Sequence, residues 1–311
     1  MYVIWGTTYY ALKVGVSEAG PYFLLGTRFL VAGALLLAFL RWRGKPWPAP
    51  AQWRNASVLG LLLLVLGLGN VTVAEQWVSS GATVALISIL PLVTALASGV
   101  LGRWPRAPEW AAIAIGAAGT LFMITGADLR ASPLGVALIL SGTVCWSLGS
   151  VLSSRLEAAH GAMGFAAEMV AGGVLCLLVS LALGESWTLP ESDAVWWAWA
   201  YLVFFGSIVA FSAYRTLVDR ASPTLAATYA YVNPPVALLV GWWLGSEEFS
   251  PNVLIGLPIV LAAVGLHAWA QMKASAPARA ATTPSAPTAR KRADMENPRG
   301  NGKPLVPRVR V

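Results

Sequence analysis

Five ionisable side chains, Lys13, Arg28, Glu75, Glu168 and His267, fall inside or at the ends of long apolar runs. A charged group in hydrocarbon costs roughly 2.5–3.5 kcal/mol on insertion scales, so each needs a partner or a water-filled cavity. Lys13 stands near the end of the first run. Arg28 lies about seven residues into the second, or roughly 10 Å deep at 1.5 Å per residue. Glu75 closes the third run on the same side of the membrane, so one carboxylate shared by Lys13 and Arg28 would lower the cost of all three. Two chemistries fit this set. One is a gate, or an anchor for an anionic substrate group; the other is a structural ion pair beside a snorkelling lysine. Glu168 is either a proton-coupling carboxylate or a group that hydrogen-bonds one helix to another. His267 is a lone histidine near the end of the last run, with nothing spaced to make it a metal ligand.

A second group is aromatic and polar. Trp5, Tyr9, Trp146, Tyr229 and Tyr231 lie within apolar runs, and Asn70 and Asn233 are amides at similar depth. A cavity for flat organic solutes needs aromatic walls and a few orienting polar groups, and these residues supply both. Tyr231 and Asn233 are two positions apart, so on a regular helix they diverge by about 200°. Pro234 and Pro235 remove two backbone donors and are expected to bend the helix, bringing both groups to one cavity; Pro91 would do the same in its own run. The alternative is that these are packing aromatics and simple proline kinks.

The elements that must hold these residues are set by composition. Hydrophobic residues make up 57% of the 311 and charged ones 11%, whereas a soluble domain carries about 25% charged residues. Runs long enough to cross a bilayer, about 17–25 residues, occupy positions 21–40, 56–74, 81–101, 110–126, 134–153, 163–184, 195–214, 225–244 and 253–271. Positions 1–16 form a tenth, short and without a basic flank, which suggests a first helix that begins upstream of Met1. A signal peptide does not fit, because Trp5, Tyr9, Tyr10 and Lys13 interrupt it. Alternating the loops collects Arg41, Arg43, Lys45, Arg54, Arg103, Arg106, Arg155, Arg215 and Arg220 on one side and only Arg130 on the other. Under the positive-inside rule both termini are then cytoplasmic. Trp42, Trp47, Trp77, Trp187 and Trp196 belong to the interfacial belt. Residues 273–311, rich in Ala, Pro, Thr, Arg and Lys, are expected to be a disordered basic tail.

The spans repeat. Laying span four on span nine puts Pro91 on Pro234 and Gly102 on Gly245; spans two and seven put Arg28 on Glu168 and Gly33 on Gly173; Trp5 falls on Trp146. Two five-helix units thus cover residues 1–126 and 132–272. A unit with an odd number of spans has its duplicate inserted upside down, the arrangement of secondary transporters. Trp5-Gly6-Thr7-Thr8-Tyr9, Arg28-Phe29, Pro91, Pro234 and Gly245-Ser246-Glu247, in this order within ten spans, resemble the EamA family of the drug/metabolite transporter superfamily. So do Asn70-Val71-Thr72-Val73-Ala74-Glu75, Phe205-Gly206-Ser207-Ile208 and Ala230-Tyr231-Val232-Asn233-Pro234, as in inner-membrane members of that family. The resemblance implies ten helices in two inverted halves. It also implies a central cavity for amino acids, nucleobases, drugs or related metabolites, often exported. The chain starts abruptly where family members carry a longer first helix.

The net charge of +7 does not indicate nucleic acid, because nine of the 21 basic residues lie in the tail and most of the others sit between apolar runs. The expected partners are a small solute, lipid and, through Glu168, protons; a monomer and a dimer are both open. Cys145 and Cys176 sit in apolar runs as small buried residues, and no metal or cofactor motif occurs. A membrane-embedded enzyme would need catalytic motifs that are absent, and a channel would need rings of like residues that one chain cannot reveal.

Overall fold

The computed structural model describes residues 2–100, 102, 104–125, 132–153, 155–157, 159, 161–214 and 229–282. Helices account for every regular element among them. They are α1 (Tyr2–Gly15), α2 (Pro21–Trp42), α3 (Pro50–Ala74), α4 (Ser80–Gly99), α5 (Ala107–Ile124), α6 (Pro133–Ser153), α7 (Ala162–Ala182), α8 (Asp193–Tyr214), α9 (Tyr229–Gly245) and α10 (Pro251–Thr282). Seven of them, α2, α3, α4, α6, α7, α8 and α10, contain 18 or more residues and are apolar enough to cross a membrane. Pro21, Pro50, Pro133 and Pro251 each open a helix, where the missing N–H has no intrahelical role to lose.

The outward faces confirm the solvent. Leu35, Leu121, Leu178, Leu181, Phe204, Leu239 and Ile255 are exposed along the helices, large apolar side chains that suit lipid better than water. Trp42, Trp47, Trp77, Trp187 and Trp196, the expected belt, are likewise exposed. Inside, one apolar core joins Leu12, Leu25, Phe29, Leu64, Met169 and Leu202; a second joins Ala82, Leu86, Met123, Ile139, Val253 and Val260.

Helices α2 and α7 approach closely through glycine. A Cβ on Gly33 would lie 2.9 Å from the Val170 amide nitrogen and 3.0 Å from the Ala166 carbonyl oxygen. On Gly173 it would lie 2.8 Å from the Leu30 nitrogen and 3.1 Å from the Gly26 oxygen. The alignment that lays Gly33 on Gly173 also lays Leu30 on Val170 and Gly26 on Ala166. The two contacts are therefore one contact, made twice.

Four local features refine the run-by-run reading. Eight-residue π-helical stretches interrupt α3 at Leu61–Leu68 and α8 at Leu202–Val209, in corresponding places of the two sequence units. Helix α4 breaks at Ser88–Ile89, because Pro91 cannot donate to the Ile87 carbonyl. At Pro234–Pro235, where a bend is expected, α9 stays helical through both prolines. Helix also continues to Thr282, carried past Lys273 by alanines at 274, 276, 278, 280 and 281. The first ten residues of the expected disordered tail are thus helical, and its remainder lies outside the described residues.

Candidate functional site

A chamber opens beside the end of the π-helical stretch of α3 and the break in α4. Its wall takes Trp5, Thr8, Tyr9 and Leu12 from α1, Arg28 from α2, and Gly67, Leu68 and Val71 from α3. Val84, Ile87, Ser88 and Leu90 surround the break in α4; Gly142, Thr143 and Trp146 come from α6, Phe211 from α8, and Asn233 and Pro234 from α9. The space open to the centre of a water-sized sphere is about 80 Å³. One water needs about 10–15 Å³ by the same measure, so the chamber holds several waters or a small organic solute. Broken and unwound helices at membrane depth are tolerated where they line such a cavity.

The aromatic wall is built by packing. Trp5 is buried, with its ring 5.1 Å from Phe211 and 5.2 Å from Tyr214, and Phe211 stacks on Phe165 at 4.4 Å. Trp146 sits against Gly67, where a Cβ would come within 3.3 Å of its ring. The polar part of the wall is Thr8, Ser88, Thr143, Asn233 and Arg28.

Arg28 is 2% exposed. Its Nε donates to Ser207 Oγ at 2.9 Å, and its guanidinium lies 4.9 Å from the centre of the Phe29 ring. Nη1 is buried and has no hydrogen-bond partner. Ser207 belongs to the π-helical stretch of α8 and donates back to the Leu202 carbonyl at 3.0 Å, so the irregular helix positions the acceptor that holds the arginine.

Lys13, Arg28 and Glu75 do not form the shared ion pair expected from their depth. Lys13 Nζ donates to the backbone carbonyls of Glu75 at 2.6 Å and Val78 at 3.1 Å, capping the C-terminus of α3, where a cation is favoured. The Glu75 carboxylate is buried with neither oxygen hydrogen-bonded, and Arg28 is engaged with α8 instead.

Trp5, Tyr9, Trp146 and Asn233 all line the chamber. Asn70 stands beside it, its Nδ2 donating to Ser141 Oγ at 3.1 Å and its Oδ1 accepting from the Tyr22 hydroxyl at 3.4 Å. Pro91 acts through the break it causes, with Leu90 on the wall. Tyr229 and Tyr231 lie on α9, and their side chains are outside the described residues. Glu168 is buried on α7 where Gly60 of α3 approaches its backbone, away from the chamber wall. His267 is buried on α10. Among the described residues no group of three or more His, Cys, Asp or Glu could hold a metal.

Thr8, Ser88, Thr143 and Phe211 also line the chamber, and spacing alone did not single them out. Carboxylate capping was missed too. Glu185 accepts from the amides of Tyr22 at 3.2 Å and Phe23 at 2.8 Å, supplying α2 with the cap that Gly20 lacks. Glu247 accepts from the Ser80 amide at 3.0 Å, the Ser80 hydroxyl at 2.8 Å and the Gly81 amide at 3.3 Å, at the start of α4. Glu18 accepts from the amides of Glu191 and Ser192 ahead of α8 at 2.8 and 3.1 Å. The Ser192 side chain, followed by those amides, holds the Glu18 carboxyl below the usual range.

Apolar helices with lipid-facing surfaces, closed around a solute-sized chamber, define a multi-pass membrane transporter. The chain belongs to the EamA-like transporter family, whose model matches residues 1–125 and again residues 133–269. It is 43% identical over 267 residues to the inner membrane transporter YedA of Escherichia coli (strain K12), covering 86% of this chain and 87% of that one. The S-adenosylmethionine/S-adenosylhomocysteine transporter of Chlamydia muridarum is 26% identical over 276 residues, covering 82% and 85%. One solved crystal structure shares the fold with a TM-score of 0.60 at 20% identity, spanning 86% of this chain and 94% of that chain.

Proposed function

We propose that the protein is a secondary transporter that moves small organic solutes by alternating access at the chamber. The moving parts in this reading are two inverted five-helix halves, residues 1–126 and 132–272, crossing the cell inner membrane ten times with both termini in the cytoplasm. The observation that carries it is the composition of the chamber wall. Helices α1, α2, α3 and α4 of the first half meet α6, α8 and α9 of the second there, so rocking one half on the other would open either side. Three further features support the reading. The family model matches twice, over segments that nearly coincide with the halves. The glycine contact between α2 and α7 is reciprocal, as expected where a pseudo-two-fold axis passes between equivalent helices. The basic loop residues sort to one side.

Export is the direction we propose, with Trp5, Tyr9, Trp146, Asn233 and the tyrosines of α9 as the solute contacts. The test is flux in liposomes holding the purified protein, screened against amino acids, nucleobases, organic acids and S-adenosylmethionine, the solute named for the Chlamydia relative. Saturable flux that is accelerated by solute on the opposite side is expected. Asn233→Ala and Tyr231→Ala should reduce it while the protein remains in the membrane; normal flux in both variants would remove α9 from the site.

A further inference from the structure

We propose that the chamber recognises small monocarboxylates and that Arg28 is the anchor for the carboxylate. The inference rests on the transport reading for its biological use, and on the chamber alone for its chemistry.

The argument starts from a charge without a counter-ion. Arg28 is 2% exposed on the chamber wall and forms no ion pair with any described residue. The Glu75 carboxylate, its expected partner, is not hydrogen-bonded to it. The remaining wall contains no aspartate or glutamate. A guanidinium presents donors in a fixed planar fork that matches a carboxylate. Here one tine is held by Ser207 through Nε, while Nη1 is buried and unused. Nη1 has no acceptor among the protein atoms, so a carboxylate that reaches it gains a charge-assisted hydrogen bond without displacing a protein partner. A neutral solute gains a weaker hydrogen bond there, and a cation adds repulsion.

The rest of the wall describes the rest of the ligand. Trp5, Trp146 and Phe211 offer flat apolar faces, while Thr8, Ser88 and Thr143 offer neutral hydroxyls. With no acidic side chain on the wall, the ligand needs no ammonium group. An acid with a small planar or apolar body fits both ends of the chamber.

Phenylacetate, phenylacetamide and phenethylamine share one body and differ in head-group charge. Binding of each to the detergent-purified protein is read from quenching of intrinsic tryptophan fluorescence, to which Trp5 and Trp146 contribute, and from thermal shift. The wild-type protein should bind phenylacetate at least about ten-fold more tightly than the other two, the range expected for a hydrogen bond to a charged group. R28Q should bind acid and amide alike, and R28K should keep a weakened preference. Equal binding of acid and amide by the wild type, binding of none of the three, or an acid preference that survives in R28Q would each overturn the assignment. The wild-type comparison decides the matter even where R28Q fails to fold. Flux of the same compounds in liposomes separates the two claims. Selective binding without flux defeats the transport reading and leaves the anchor standing; flux that ignores the carboxylate does the reverse.

Discussion

Gly173→Ala tests the reciprocal glycine contact between α2 and α7. The new Cβ would lie 2.8 Å from the Leu30 nitrogen, 3.0 Å from Leu30 Cγ and 3.1 Å from the Gly26 oxygen. Carbon atoms in comfortable contact stand about 3.5–4.0 Å apart, so α2 and α7 must separate by roughly 0.5–1 Å. Two of the three obstacles are backbone and cannot rotate away. Overpacking of this kind costs about 1–3 kcal/mol. Gly33→Ala meets the Val170 nitrogen and the Ala166 oxygen at 2.9 and 3.0 Å and should cost the same within error. Both substitutions load one interface, so the double variant should lose less than the sum, with a coupling of at least about 0.5 kcal/mol. Reversible unfolding in mixed denaturant micelles measures all four corners of the cycle. A neutral single variant, or strict additivity in the double, would refute the idea that one reciprocal contact sets the spacing.

Other expectations follow from the caps and the pocket. Glu185→Ala and Glu247→Ala should each destabilise the protein by about 0.5–2 kcal/mol, and amide exchange should rise at Tyr22–Phe23 in the first and at Ser80–Gly81 in the second. Gly241→Ala should mimic Glu247→Ala, since its Cβ would come within 2.5 Å of a Glu247 carboxylate oxygen. The Glu18 carboxyl is lowered by folding, so its contribution is present above the unfolded carboxylate range and is lost as pH falls through the lower folded value. Amide protection at Glu191 and Ser192 should fall along that acid limb, and Glu18→Gln should remove the pH dependence. Trp5→Ala should reduce solute flux, while Trp42→Ala, at an exposed belt position, should leave it unchanged.

Much of this architecture was legible because lipid imposes a simple rule on sequence. The apolar runs at 21–40, 134–153 and 163–184 agree with α2, α6 and α7 to within two residues at each end, since a bilayer fixes span length. The ends were less clear where polar residues begin a helix, as in Pro50–Asn55, whose side chains suggest a loop. Burial of Arg28 and Glu75 followed from their depth, but their partners did not. Lys13 chose carbonyls over a carboxylate because helix ends offer acceptors that sequence does not display. The π-helical stretches left no trace in Leu61–Leu68 or Leu202–Val209, whose residues suit an ordinary helix. Through them Ser207 reaches Arg28 and Gly67 lies against Trp146, contacts set by an extra residue per turn rather than by any motif. Pro91 and Pro234 occupy matching places in the sequence, yet only the first breaks its helix.

The claim that two inverted halves enclose the chamber is tested most directly by cysteine accessibility across an intact membrane. In a background with Cys145 and Cys176 replaced by alanine, single cysteines at Arg106 and Asp193 would be probed with an impermeant thiol reagent added from outside. The account predicts labelling at position 193 before permeabilisation and at position 106 only after it. Labelling of both from one side would contradict it.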